Sequence, residues 1–261
     1  MFTGFNVSYP EYEVIVPSGL SFTIRSLNVQ EEEKMKGSMM TPTKTADHLN
    51  KLLYDLTIKK PDIITDFTSF LQNVTLKDRD VLVYALYHIT YDEIRNYDVT
   101  CKSCNKSFPI TVKASDTFNM TMFPDNNVLT KRVTVPLPVL QNVNAFIKQP
   151  TLYDETTSIK NLSSRPGSTL EIITECLILD HFEQNIPEKV APIMISEKVD
   201  IIDAYFSLPA RDKRAIYDSY ANEFGKYGLD LKIKTFCTHC DNEEVVGIDI
   251  VSNFFRTLYG L

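Results

Sequence analysis

The chain has 261 residues, a net charge of −7 and 43% hydrophobic content, enough apolar material for a full core and too much for a disordered chain. The acidic balance argues against a phosphate backbone as a default partner. No apolar run approaches the roughly 20 residues of a membrane-spanning helix, and the first residues lack the basic and apolar segments of a signal peptide. The reading is of a mature chain, cytosolic at synthesis, with no membrane partner.

Taken in chain order, Val14-Ile15-Val16-Pro17, the turn Ser18-Gly19 and Ser21-Phe22-Thr23-Ile24-Arg25 predict a β-hairpin. Asn28 is placed to cap a helix whose first turn holds Glu31, Glu32 and Glu33, a run read as solvated. Apolar residues at three and four spacing predict helices over 46–56, 63–71 and 81–94, with Thr75 to Asp80 opening the last of them. Cys101 and Cys104 then form a knuckle that runs into a strand over 108–112. The turn-rich stretch from Phe123 to Asn127 marks a junction.

Beyond it the pattern recurs. Val133-Thr134-Val135-Pro136 echoes Val-x-Val-Pro of the first hairpin, Ala145-Phe146-Ile147-Lys148 supplies a second strand, and Leu152-Tyr153-Asp154-Glu155 an acidic helix start. The stretch 163–168 reads as an exposed loop, and 170–182 and 201–206 as helices. Another helix opens around Pro209, with Ser207 as its cap, and runs to Phe224. Its cluster Arg211-Asp212-Lys213-Arg214 reads as a solvated face or a protein contact. Cys237 and Cys240 form a second knuckle, followed by a strand over 245–250. The cysteine pairs lie further apart than the hairpins, so the second copy carries insertions. The expected fold is α+β, with two tandem diverged repeats over 1–123 and 124–261. Each has a β-hairpin, several helices and a Cys-x-x-Cys knuckle, and one zinc site joins them.

Two knuckles supply the four thiolates that a closed structural zinc site takes. Cys101, Cys104, Cys237 and Cys240 are therefore read as ligands of one zinc per chain. His239 lies between two cysteines, where its ring should point away from a shared ion. Two redox or disulfide pairs are the competing reading, though no thioredoxin-like context surrounds either pair. Vestigial thiols are another. Cys176, in an apolar pattern, reads as a core thiol. His48, His88 and His181 are scattered, and no phosphate-cradling loop or nucleophile motif is present. No enzyme and no small-molecule substrate are expected.

The opening from Val16 to Arg25, the acidic helix after it, the Tyr-x-Val-x-Cys-x-x-Cys knuckle ending at Cys104, and Asn253-Phe254-Phe255-Arg256 together resemble baseplate hub and hub-assembly proteins of T-even-type contractile-tailed phages. That resemblance implies a non-enzymatic tail component or assembly factor that contacts other baseplate or tail proteins. It would work in the host cytoplasm during assembly and in the virion tail baseplate. Phe254, Phe255, Arg256 and Tyr259 are the expected partner-binding residues, since aromatic and arginine side chains most often anchor interfaces. The same aromatics could equally cover the second knuckle. A zinc-ribbon nucleic-acid adaptor is the alternative function, to be distinguished by a basic stripe.

Overall fold

The computed structural model describes residues 8–38, 42–92, 94–113, 119–124, 127–162, 175–186 and 191–248. Strands β1 (Glu11–Ile15) and β2 (Ser21–Arg25) form the expected antiparallel hairpin. Its turn uses Gly19 at φ +87, a conformation costly for other residues. Alternation sends Phe22 and Ile24 into the core, and β3 (Thr57–Lys59) adds to the β2 edge. Helix α1 (Val29–Ser38) begins on a capping box: the Glu31 N–H donates to Asn28 Oδ1, and the Asn28 N–H to Glu31 Oε2, each at 3.0 Å.

Helices α2 (Pro42–Leu56), α3 (Phe67–Asn73) and α4 (Leu76–Thr90) complete this layer, burying Leu53, Leu56, Phe70, Leu82 and Leu86. Two helices are cut short at one end relative to expectation. Helix α3 starts at Phe67 because Asp66 and Ser69 make a capping box, leaving Ile63 in the preceding turn. Helix α4 stops at Thr90, and Ile94, assigned to it from its spacing, begins a strand; Asp92 at φ +39 breaks the helical path.

That strand, β4 (Ile94–Thr100), pairs along its length with β5 (Ser107–Lys113), which buries Phe108, Ile110 and Val112. After β6 (Asn119–Thr121), a second hairpin follows from β7 (Val133–Pro136) and β8 (Val143–Ile147), then α5 (Leu152–Leu162). Strands β9 (Leu179–Gln184) and β10 (Ile193–Ile195) extend the sheet in the order β10-β9-β8-β7. Helices α6 (Lys198–Phe206) and α7 (Ala210–Phe224) pack against it. Strand β11 (Gly228–Asp230) pairs back to β6, and β12 (Lys232–Phe236) forms the last described hairpin with β13 (Glu243–Gly247).

The helix expected over 170–182 is corrected over its described part. Glu175 and Cys176 are helical, but Leu179 onward is an interior strand paired to β8 and β10. The pairing skips from Leu179 to His181 opposite Ile147 and Phe146. This irregularity lets Leu179 and Phe182, three residues apart, both reach the core and mimic a helical spacing. Ser207 is also not the cap of α7. It closes α6, its N–H bonding to Ala204 O at 3.0 Å, and Pro209 itself stands at the α7 N-cap.

Two apolar clusters result. One holds β1, β2, α1–α4, Leu152 of α5 and both knuckle hairpins, including Cys101, Phe108, Cys237 and Ile248. The other is built on β7–β9, α6 and α7, with Ala145, Phe182, Ile201, Ile216 and Phe224 at its centre. Direct bonds tie α4 to the chain around α5 and α7. Leu76 N–H donates to Pro150 O at 3.1 Å and Leu152 N–H to Val74 O at 3.0 Å, flanked by the Arg79–Glu155 ion pair. Lys77 Nζ donates at 2.6 Å to Phe224 O, satisfying a carbonyl at the end of α7.

Candidate metal centre

The two knuckles share one backbone conformation. In the first, Cys101 N–H donates to Lys106 O at 3.0 Å and Asn105 N–H to Cys101 O at 2.9 Å. In the second, Cys237 N–H donates to Asn242 O and Asp241 N–H to Cys237 O, both at 2.9 Å. Asn105 and Asp241 both sit at φ +56, the left-handed region that Asn and Asp tolerate better than other side chains. Each turn thus aims two sulfurs to the same side.

The hairpins bring these sulfurs together. Cys101 Sγ lies 3.6 Å from Cys240 Sγ, and Cys104 Sγ 3.7 Å from Cys237 Sγ, with all four within 4.8 Å of one another. All are free thiols, so the separations are not those of disulfides. A tetrahedron of thiolates about 2.3 Å from a shared ion has corners roughly 3.8 Å apart, and this donor set fits it. Cys101 and Cys237 are fully buried while Cys240 is exposed.

Non-sulfur contacts hold the knuckles against each other. Glu244, on β13 and buried, accepts the Lys102 N–H at 2.8 Å and Asn242 Nδ2 at 2.9 Å. His239 Nε2 meets Ser107 O at 3.2 Å, so its ring is engaged by the first knuckle hairpin. The sulfurs have partners of their own: the Cys101 thiol meets the Glu244 carboxylate, and the His239 N–H donates to Cys237 Sγ at 3.4 Å. Backbone N–H groups pull the Cys101 thiol down, but burial and its neighbours Cys240 and Glu244 hold it up at about 12. At Cys237 burial pushes up, while N–H groups of His239 and Cys240 bring it to about 7.

Other residues singled out in the sequence have structural surroundings. Cys176 is buried, which pushes its thiol up to about 12. His88 packs edge-on to Tyr12 and flat on Tyr84; His181 stacks on Phe146 at 4.2 Å and meets Asp180. Asp212 is not part of a solvated cluster. It is fully buried, and its two oxygens accept the N–H groups of Val139 and Leu140 in the β7–β8 turn, at 2.7 and 3.1 Å. Asp78, also fully buried, does the same for Ser18 in the β1–β2 turn at 2.9 Å. The signal was an acid in the first turn of the helix in both halves. Phe254, Phe255, Arg256 and Tyr259 lie outside the described residues.

The geometry defines an α+β protein whose two Cys-x-x-Cys hairpins converge on one four-thiol cluster. The chain belongs to the T4 bacteriophage base plate protein family, which matches residues 9–256. Neither a curated protein nor a solved structure matches it. Membership implies a structural, non-enzymatic role in a phage tail baseplate, in contact with other tail proteins. Among the described residues no helix is long and apolar enough to cross a membrane.

Proposed function

We propose that the chain is a zinc-clipped structural or assembly protein of the baseplate, in which Cys101, Cys104, Cys237 and Cys240 hold one structural zinc. The observation that carries this reading is the convergence of four sulfurs within 4.8 Å from knuckles 133 residues apart or more. A closed four-cysteine site stabilises a fold and leaves no open position for chemistry. Likeness to hub and hub-assembly proteins supports placement at the hub, with assembly in the host cytoplasm. Phe254, Phe255, Arg256 and Tyr259 remain our proposed contacts to neighbouring tail proteins.

The halves 1–123 and 124–261 are, in this proposal, diverged copies of one unit. Support comes from bonds repeated in the same order. Arg25 pairs with Glu31 and Lys148 with Asp154; Asn28 with Glu31, and Thr151 with Asp154, make reciprocal caps. The third strand joins the second with a register shift at Thr23/Ile24 and at Phe146/Ile147. On that register Val14, opposite Phe22, corresponds to Val135, opposite Ala145, and Pro17 to Pro138. The Val-x-Val-Pro echo read from sequence is thus two residues out of step.

The test is metal analysis of freshly purified full-length protein by inductively coupled plasma and native mass spectrometry. About one zinc per chain is expected. A ratio near zero, with all thiols alkylated at once in the folded protein, would sink the zinc reading.

A further inference from the structure

We propose that copies of this chain dock head to tail, the start of α7 in one copy taking the start of α1 in the next. This contact would repeat between copies the one that joins the two halves within a chain. The inference rests on the reading of those halves as diverged copies of one unit, and not on the metal.

Within the chain, Val74, Thr75 and Leu76 at the α3–α4 junction meet Pro150, Thr151 and Leu152 at the start of α5. Besides the two backbone bonds between them, Thr75 lies opposite Thr151 in an isolated β-bridge, and Arg79 pairs with Glu155 alongside. Val74, Thr75 and Leu152 end fully buried. The contact is one-sided, using the helix junction of the first half and the helix start of the second. Such a heterologous contact leaves each half with one unused surface, which a further copy can fill.

The unused surfaces are identified by the repeated bonds. Asp78 corresponds to Asp212, so the free junction is Leu208, Pro209 and Ala210. The Asn28–Glu31 cap corresponds to the Thr151–Asp154 cap, so the free helix start is Leu27, Asn28 and Val29. Val29, the counterpart of buried Leu152, is 72% exposed, the barest large apolar side chain among the described residues. Phe206, beside the free junction, is 48% exposed. Among the described residues nothing bonds Leu208 O, Ala210 N–H, Leu27 O or Val29 N–H, the four groups whose counterparts make the internal backbone bonds.

Charge points the same way. Cations in the first turn of a helix oppose its dipole. Helix α4 carries two, and the other half uses both: Lys77 reaches the end of α7, and Arg79 reaches Glu155. Their counterparts on α7 are Arg211, exposed and bonded to no described residue, and Lys213, which leans on Glu175. The counterpart of Glu155 is Glu32, whose hydrogen-bond partner, the Tyr91 hydroxyl at 2.8 Å, carries no charge. The counterpart of the α7 end is the α4 end, and it already adjoins the α1 start, since Leu27 N–H donates to Thr90 Oγ1 at 3.2 Å. In the second half, Tyr220 of α7 likewise bonds Gln149 ahead of α5, at 3.1 Å. The basic start of α7 therefore faces an acidic surface built on the pattern that its own counterpart already binds.

Sedimentation velocity of the full-length, zinc-loaded protein should show species above the monomer that grow with concentration up to about 100 µM. Val29→Lys and Arg211→Glu, both at exposed positions, should weaken association about tenfold or more and leave the melting temperature unchanged. Carbodiimide cross-linking of mixed isotope-labelled and unlabelled copies should join Glu32 of one copy to Lys213 of another. A monomer throughout that range, undiminished association of both variants, or intercopy cross-links elsewhere would each overturn the proposal. The duplication is judged apart, by superposing the two halves in a crystal structure: matching connectivity in a monomeric protein would remove the copy-to-copy contact alone.

Discussion

Asp154 shows how single charges are made tolerable inside this protein. Burial alone would push its carboxyl up, but the Lys148 and Lys198 ammonium groups, with the Thr151 N–H, outweigh burial and hold it below its ordinary value. Glu31 has the same sign: burial opposes ionisation, and Arg25 and the Asn28 N–H overcome it. A depressed carboxylate stabilises the fold above its unfolded-state value, and the contribution disappears as pH falls through the lower, folded-state value. The window therefore lies below about pH 4. Lys148→Met should raise the pH of acid unfolding followed by circular dichroism, because Asp154 then keeps its burial with less compensation. An unchanged acid midpoint would show that Lys198 alone suffices.

At the scale of elements, each of two helices is fixed to a hairpin by one carboxylate. Asp78 in α4 accepts from Ser18 in the β1–β2 turn, and also from Thr75 at its own N-cap at 2.9 Å. Asp212 in α7 accepts twice from the β7–β8 turn. Replacing Asp78 by Ala orphans two buried N–H donors and should cost roughly 2–4 kcal/mol in urea unfolding. Arg214→Ala, which breaks the exposed pair with Asp218, should cost less than about 0.5 kcal/mol. A small effect of Asp78→Ala would mean that water replaces the carboxylate. Such anchors were only half legible in the sequence, where Asp78 and Asp212 were visible as first-turn acids but their reach to hairpin turns was not. Hairpins, knuckles and the Asn28 cap were legible because each is set by neighbouring residues, whereas Ser207 proved to close the preceding helix. Strand β9 was not, because its bulge reproduces the spacing of a helix, and Glu244 was not, because its partner Lys102 belongs to the other knuckle.

At the scale of the molecule, both knuckles pack into the first apolar cluster although the second follows α7, which serves the other cluster. Removing the metal from the proposed site should therefore weaken both layers together. Chelation, or Cys237→Ser, should lower the melting temperature as one cooperative transition and raise hydrogen exchange in β4–β5 and β12–β13 alike. Loss of protection in β12–β13 alone would argue that the first knuckle stands unaided. Contacts from Lys102 to Glu244 and from His239 to Ser107 should keep some of the hairpin interface after chelation. The separation of the two knuckles also sets an order in time. Cys104 leaves the ribosome 133 residues ahead of Cys237, its nearest sulfur neighbour across the cluster. At about 5–20 residues per second, the first pair of thiols waits roughly 7–27 seconds for the second. A four-thiol clasp cannot close on a nascent chain that stops short, so closure marks a polypeptide read through to its second knuckle before it can join an assembly.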